Sequence, residues 1–392
     1  MKILHTVEFY APSVGGMQEV VKQLSERLVK LGHEVTVATT KLPERLEKVH
    51  NGVTIEEFSI RGNLVHCMTG EVDRYREFVF NADFDVITNF AAQQWATDAL
   101  IEKLDQIRTR KVFVPTGFSG LFDPAYHGYF ASMGGWMKKY DANVFLSDDY
   151  RDVNFARERG VTNGVLIPNG AGEDEFLPPP SIDIRASLGI PLDHLLVLHV
   201  GSHTGLKGHA EAIRIFTRAR LANATFLLVA NNSSRGCARC CRWKSRLFKC
   251  LPANLRYGKR IVVVSLSREQ TVAAYHAADL FLFPSNIECS PLVLFECLAS
   301  RTPFLSTDVG NAAEIARWFD SGVILPTTTD RRGHARADIA GSANLLAQLS
   351  TDHKRRLSMA EQGIRTWRER FTWEKIARDY EALYQDLVGS RS

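Results

Sequence analysis

The sequence predicts an α/β protein of two Rossmann-like, doubly wound domains facing a central cleft. Three observations predict it. Short apolar strands alternate with amphipathic helical segments from Lys2 onward, the pattern of βαβ units on a parallel sheet. The alternation fails around 170–191, where Pro178-Pro-Pro180 sits among acidic residues and reads as a linker. A second α/β series then opens at Leu195, and 392 residues accommodate two domains of ordinary size.

The first domain is expected over 1–172. Its strands are Lys2–Val7, Glu34–Thr39, Val53–Phe58, Asp85–Thr88, Lys111–Pro115, Asn143–Ser147 and Gly164–Pro168. A helix from about Met17 to Leu31 follows the first strand and is stopped by Gly32. Residues 173–192 form the expected linker, and 193–370 the second domain. Its strands are Leu195–Val200, Thr225–Ala230, Arg260–Val264, Leu280–Phe283, Pro303–Ser306 and Val323–Leu325. The remainder, 371–392, is expected to be helical over Trp373–Val388. Right-handed crossovers follow for both domains.

Composition narrows the function classes. Hydrophobic content of 45% and charged content of 23% are those of a globular enzyme. A formal charge of +4 gives no support to nucleic-acid binding. No apolar run approaches the ~20 residues of a membrane span. Met1-Lys-Ile-Leu-His-Thr-Val-Glu8 reaches a charge before any signal core forms, so secretion is not expected. The odd count of seven cysteines agrees with reduced thiols in a cytoplasmic protein.

The segment Glu288-Cys-Ser-Pro-Leu-Val-Leu-Phe-Glu296 is the most informative in the chain. It follows the buried strand that ends in Phe283-Pro284. Ser290 is expected to cap a new helix, with Pro291 at its first position, and Leu292, Phe295 and Ala299 give the helix an inward face. Free amides at such a helix start attract an anion. A carboxylate on the helix can accept two ribose hydroxyls, and one in the loop can hold a sugar. A solvent-facing Glu pair is the plain alternative.

Together with Pro12-Ser-Val-Gly15-Gly16, Ile167-Pro-Asn-Gly170 and His199-Val-Gly201…Leu206-Lys207-Gly208, this segment resembles the retaining GT-B glycosyltransferases of the GT4 type over nearly the whole chain. The resemblance implies a GT-B fold whose terminal helix crosses back to the first domain. It also implies sugar transfer from a nucleotide diphosphate sugar to a hydroxyl acceptor, without a metal and without a cofactor. Glu296 then holds the ribose and Glu288 the donor sugar. Lys207 and the amides of Gly15, Gly16 and Ser290–Leu292 hold the diphosphate, with Gly201 and Ser202 beside it. Catalysis falls to Glu288 and Lys207.

Two departures from the family bear on turnover. Ser202 stands where an arginine usually partners the lysine, so one cationic contact is missing unless His203 or another basic residue replaces it. Pro115-Thr116-Gly117-Phe118 stands where a histidine usually meets the donor sugar. A hydroxyl can hydrogen-bond a sugar but carries no proton at neutral pH, so Thr116 is assigned only a donor-sugar contact. These departures favour an alternative: a GT-B protein that binds a nucleotide sugar without efficient turnover.

Three further features stand apart from the donor motifs. Cys237, Cys240, Cys241 and Cys250 either hold zinc or are free thiols in a surface insertion. The surrounding Arg235, Arg239, Arg242, Lys244, Arg246 and Lys249 edge an apolar stripe of Trp243, Leu247 and Leu251. That stripe suits an anionic membrane surface or a packed amphipathic helix. Phe118, Phe122, Tyr126, His127, Tyr129, Phe130 and Trp136 are either core or an acceptor- or lipid-facing surface. The expected acceptor is a cell-surface glycan or lipid-linked glycan, with peripheral contact at the inner face of the cell membrane.

Overall fold

The computed structural model describes residues 1–81, 83–231, 236–249 and 257–390. The chain divides into two compact units, Met1–Asn169 with Trp373–Ser392, and Gly170–Thr372.

The first unit is built on an eight-stranded sheet among the described residues. Its spatial order is Gly164–Leu166, Ala142–Phe145, Arg110–Val114, Val86–Phe90, Lys2–Thr6, Glu34–Thr40, Val53–Phe58 and Val49–His50. All pairings are parallel except that of Val49–His50 with Val53–Phe58. Val86–Phe90 is buried at every position, as expected of a parallel strand with helices on both faces. The helix Gly16–Lys30 buries Val20, Val21, Leu24 and Leu28, the inward stripe of an amphipathic helix.

The helix Trp373–Gly389 belongs to this unit despite its place in the sequence. Its Ile376, Ala377, Tyr380 and Tyr384 are buried. The Tyr384 hydroxyl meets Thr88 Oγ1 at 2.6 Å and His5 Nε2 at 3.2 Å, and His5 Nδ1 meets Ser25 Oγ at 2.8 Å. Burial pushes the His5 pKa down to about 3, so His5 is a neutral joint in this network.

The second unit has a six-stranded parallel sheet in the order Arg260–Val264, Ala224–Val229, Leu195–Val200, Leu280–Phe283, Phe304–Ser306 and Gly322–Ile324. This is the 3-2-1-4-5-6 order of the doubly wound fold. The runs Ala-Thr-Phe-Leu-Leu-Val and Leu-Phe-Leu-Phe are buried throughout. From the central pair Leu195–Val200 and Leu280–Phe283 the chain winds outward in opposite directions. The loops beyond their carboxyl ends therefore diverge and leave a crevice, where ligands of such folds bind.

The expected linker at 173–192 is not free. Phe176, Ile184 and Ile190 are buried in the core of the second unit, because their apolar area favours that core over water. Pro178, Pro179 and Pro180 remain exposed. Among the described residues no helix is long and apolar enough to cross a membrane.

Candidate functional site

The crevice end of the second sheet is assembled from three loops. The first runs from Gly201 to Gly208, after the strand Leu195–Val200. Gly208 takes φ +69°, and a Cβ there would lie 1.8 Å from the Pro284 carbonyl oxygen, so only glycine lets this loop close on the next one. Asn286 N and Ser285 Oγ then donate to the Leu206 carbonyl at 2.9 and 3.2 Å. The closure brings Lys207 Nζ to the two Glu288 oxygens at 2.7 and 2.8 Å, while Ser285 Oγ donates to Glu288 Oε1 at 2.8 Å. The Lys207 side chain is 28% exposed and that of Glu288 11%. Their charges are satisfied by one another and remain reachable at the rim.

The third loop buttresses the second. Gly310 has φ +57°, and a Cβ there would stand 2.2 Å from the Cys289 carbonyl oxygen. Asn311 donates its amide to Cys289 O at 2.9 Å and its side-chain NH2 to Ser290 Oγ at 3.2 Å. Thr307 Oγ1 donates to Ser285 O at 2.6 Å. The Glu288–Ser290 backbone is thus pinned from the neighbouring strand end.

The helix after this loop is Leu292–Ala299, and its N-cap is Pro291, with no side-chain cap. This corrects the expected assignment of Ser290 as cap by one position. Proline's fixed φ fits the extended-side entry at ψ 114° as well as it fits a first turn. Pro291 also has no N–H, so the expected Ser290–Leu292 amides are those of Ser290 and Leu292 only. Phe295 and Ala299 face the core as expected, while Leu292 is half-buried.

Glu296 is turned inward, with its side chain 9% exposed. Its Oε1 accepts from Arg268 Nη1 at 2.6 Å, and Arg268 also makes a two-pronged contact to Glu175 at 2.8 and 2.7 Å. Burial lowers the Arg268 pKa, and Glu296 with Glu175 more than reverse this, holding it well above the ordinary value. The sequence reading missed Arg268 and Glu175. The available signal was Ser267-Arg-Glu-Gln270, a capping box that starts the helix Arg268–Ala277 at the carboxyl end of its strand. That position puts Arg268 on the crevice side of the sheet.

Ser202 is exposed beside this site. His203 follows it, half-buried. Its ring lies 4.7 Å from that of His209, centroid to centroid.

In the first unit Gly15 is the N-cap of Gly16–Lys30, with φ −179°. That geometry does not itself require glycine. A Cβ at Gly15 would meet the Gln18 side chain, and one at Gly16 would meet nothing within 4 Å. Thr116, Gly117 and Phe118 have φ of 61°, 88° and 47°, three successive left-handed residues at the carboxyl end of Arg110–Val114. Such strain persists only where surroundings impose it. Here Gly117 N donates to the buried Asp152 carboxyl at 2.8 Å.

The aromatic cluster is largely core. Phe118, Tyr126, Tyr129 and Phe130 are buried and pack edge to face, and Trp136 is half-buried. The expected acceptor- or lipid-facing surface is thereby reduced to exposed Phe122, over which Arg151 lies at 5.0 Å, and exposed His127. The helix Gly236–Lys249 buries Ala238, Cys241, Ser245 and Phe248 and exposes Trp243, Leu247, Arg239, Arg242 and Arg246. It is packed by one face and carries the apolar–basic stripe on the other. Arg235, Cys250 and Leu251 lie outside the described residues.

Residues 181–365 match the family model for glycosyl transferases group 1, and residues 14–174 that for glycosyltransferase family 4. The chain is 23% identical over 387 residues to N-acetyl-alpha-D-glucosaminyl L-malate synthase of Bacillus anthracis, covering 96% of this chain and 95% of that protein. It is 28% identical over 233 residues to D-inositol 3-phosphate glycosyltransferase of Stackebrandtia nassauensis, covering 58% of this chain and 49% of the relative. The chain thus spans about half the length of that second relative. Among solved structures, sucrose-phosphate synthase from Thermosynechococcus elongatus superposes with a TM-score of 0.79 at 19% identity, covering 99% of each chain. HepE of Anabaena in complex with UDP and glucose superposes at 0.71 and 16% identity, covering 98% of this chain and 100% of that one. At such identities the likeness is one of fold.

Proposed function

The chain belongs to the GT4-type glycosyltransferases of GT-B fold, and from that premise we propose that it transfers a sugar from a nucleotide diphosphate sugar to a hydroxyl with retained anomeric configuration. The observation that carries the reading is the meeting of Lys207, Glu288 and Ser285 at the switch point of the second sheet, with Glu296 on the helix that leaves it. Lys207 neutralises charge as the bond from the sugar's anomeric carbon to the phosphate oxygen breaks. The acceptor oxygen bonds to that carbon on the same face, and its proton passes to the departing phosphate. Glu288 orients the donor sugar, Glu296 accepts the ribose hydroxyls, and Arg268 holds Glu296 in place.

Each glutamate answers a cation of the protein, Lys207 or Arg268. That pairing supports transfer without a metal at the sugar. HepE binds UDP-glucose, so uridine donors head the panel to be tried. Exposed Trp243 and Leu247 among exposed arginines support an acceptor presented at an anionic membrane, such as a lipid-linked glycan. A second acceptor reading, a small anionic hydroxy compound, is favoured by the malate and inositol phosphate in the relatives' names.

The test is a thermal-shift panel of nucleotide sugars on wild type and Glu296→Ala. A donor should raise the wild-type melting temperature by mass action and raise that of the variant much less. Equal shifts in the two proteins would remove the ribose assignment. Donor binding with no product across lipid-linked and small anionic acceptors would favour the non-catalytic alternative, which Ser202 and Thr116 support.

A further inference from the structure

The loop that carries Lys207 is bracketed by two histidines, and both turn to the same place. His203, His209, Cys237 and Cys241 offer ligand atoms that all lie within 4.8 Å of one another. Cys237 and Cys241 are one turn apart on the helix Gly236–Lys249, on one face of it, with their sulfurs 3.9 Å apart. His209 opens the helix His209–Arg218 and is 2% exposed. Its Nδ1 lies 3.1 Å from Cys237 Sγ. From these residues we propose a tetrahedral zinc site with two imidazole and two thiolate ligands, which ties the Lys207 loop to the Gly236–Lys249 helix.

The geometry is close to what the metal needs. Zn–S bonds of about 2.3 Å and Zn–N bonds of about 2.0–2.1 Å at tetrahedral angles place ligand atoms roughly 3.4–3.8 Å apart. The 3.9 Å sulfur pair and the 3.1 Å nitrogen–sulfur contact lie close to that range, and side-chain movement of about 1 Å brings the remaining pairs, all within 4.8 Å, into it.

The surroundings prepare the ligands. His209 Nε2 donates to the Gly201 carbonyl at 3.2 Å, leaving the lone pair on Nδ1 aimed at the sulfurs, the outer-shell arrangement typical of metal-binding histidines. His203 is fixed through its amide, which donates to Asn231 Oδ1 at 2.8 Å. Its own Nδ1 is buried without a hydrogen-bond partner among the described residues. A buried polar atom left so asks for an explanation, and a metal supplies one. The Gly205 amide hydrogen-bonds Cys237, a contact that favours thiolate sulfur.

Burial, followed by neighbouring imidazoles, pushes the His209 pKa down to about 2. Burial, followed by Cys237, pushes that of Cys241 up to about 12. Without a metal the imidazoles are neutral and the thiols protonated. On binding, the thiols lose two protons to solvent and the two negative charges balance the dication. Two soft and two borderline ligands in a tetrahedron suit zinc above the other common divalent ions.

The ligand set differs from the four-thiol reading of the sequence. Cys240 is exposed and is not among the four clustered ligands, and Cys250 lies outside the described residues. The two histidines are not legible as ligands in the sequence, because 28 residues separate His209 from Cys237 and the fold alone brings them together. The inference stands independently of the donor assignment, since none of its four ligands contacts Glu288 or Glu296 in the hydrogen bonds described.

The test uses the full chain, purified under reducing conditions without chelator. Elemental analysis should find one zinc per chain, held through dialysis. Cobalt added to chelator-treated protein should give the intense visible bands of tetrahedral cobalt and a near-ultraviolet thiolate charge-transfer band. Cys237→Ser, Cys241→Ser and His203→Ala should each weaken cobalt binding by more than about 100-fold, beyond the 10–100-fold of an outer-shell change. Cys240→Ser should leave it unchanged. Should the variants not fold, the cobalt spectrum of the wild type decides alone. A folded wild type with no bound zinc and no thiolate band would overturn the proposal. So would a native mass two hydrogens short, showing a Cys237–Cys241 disulfide, or loss of metal on Cys240→Ser.

Discussion

Lys207 and Gly208 show how adjacent residues divide the work of the crevice. Lys207 supplies charge, and Gly208 supplies the backbone turn that delivers it. Lys207→Ala should lower kcat by about 10²–10³-fold, the usual loss when one preorganised electrostatic contact is removed. KM should move less, because the charge on the leaving phosphate grows only as the bond breaks. Steady-state kinetics with a fixed acceptor checks this, and a loss confined to KM would refute it. Gly208→Ala acts differently. Its Cβ would collide with the Pro284 carbonyl oxygen at 1.8 Å, and its φ is +69°. A loss of about 2 kcal/mol or more in chemical denaturation is expected. At this scale motif spacing places Lys207 and Glu288 together and Glu296 on the helix that follows. The sequence was silent on Arg268, which reaches Glu296 from 28 residues away through the order of strands rather than through any local pattern. Ser290 was misassigned because proline serves an N-cap or a first turn equally well.

At the scale of elements, strands were legible to within a residue or two because apolar and β-branched residues concentrate in them, continuously in the buried central strands and with alternation toward the edges. Val53–Phe58, Leu195–Val200, Arg260–Val264 and Leu280–Phe283 have the limits expected of them. The strained turn after Arg110–Val114 was less legible, since its cause is a remote buried carboxyl. Asp152 accepts from Gly117 N and, through burial, has its pKa raised from 3.8 to about 6. The folded protein therefore holds a proton between pH 4 and 6 that the unfolded chain releases. Stability is full below about pH 4 and falls as pH rises through about 6, by about 3 kcal/mol for such a shift. Asp152→Asn keeps an acceptor oxygen for Gly117 and has no charge to bury. Measured against wild type by urea denaturation, its relative stability should rise by about that amount between pH 4 and pH 7. A difference flat with pH would show that the carboxyl stays ionised in the fold.

At the scale of the whole molecule, the two units differ in one respect that sequence order alone hides. The second is a single stretch, Gly170–Thr372, while the first needs both ends of the chain. The reason lies in the last helix. Tyr384 reaches Thr88 and His5, and His33 Nε2 meets Glu381 Oε1 at 2.8 Å. Removing the helix takes away five buried side chains, Trp373, Ile376, Ala377, Tyr380 and Tyr384, and strips His5 Nε2 of its partner. Fully burying one large apolar side chain contributes about 1.5–3 kcal/mol, so the loss rivals the 5–15 kcal/mol that holds an ordinary domain. Residues 170–372 expressed alone should therefore unfold cooperatively and keep the donor-dependent thermal shift in reduced form. Residues 1–169 alone should lack a cooperative transition and regain one when a peptide of 373–392 is added. A cooperative transition in 1–169 without the peptide would mean that the seam through His5 and Tyr384 contributes little, and that the sheet of the first unit carries its own stability.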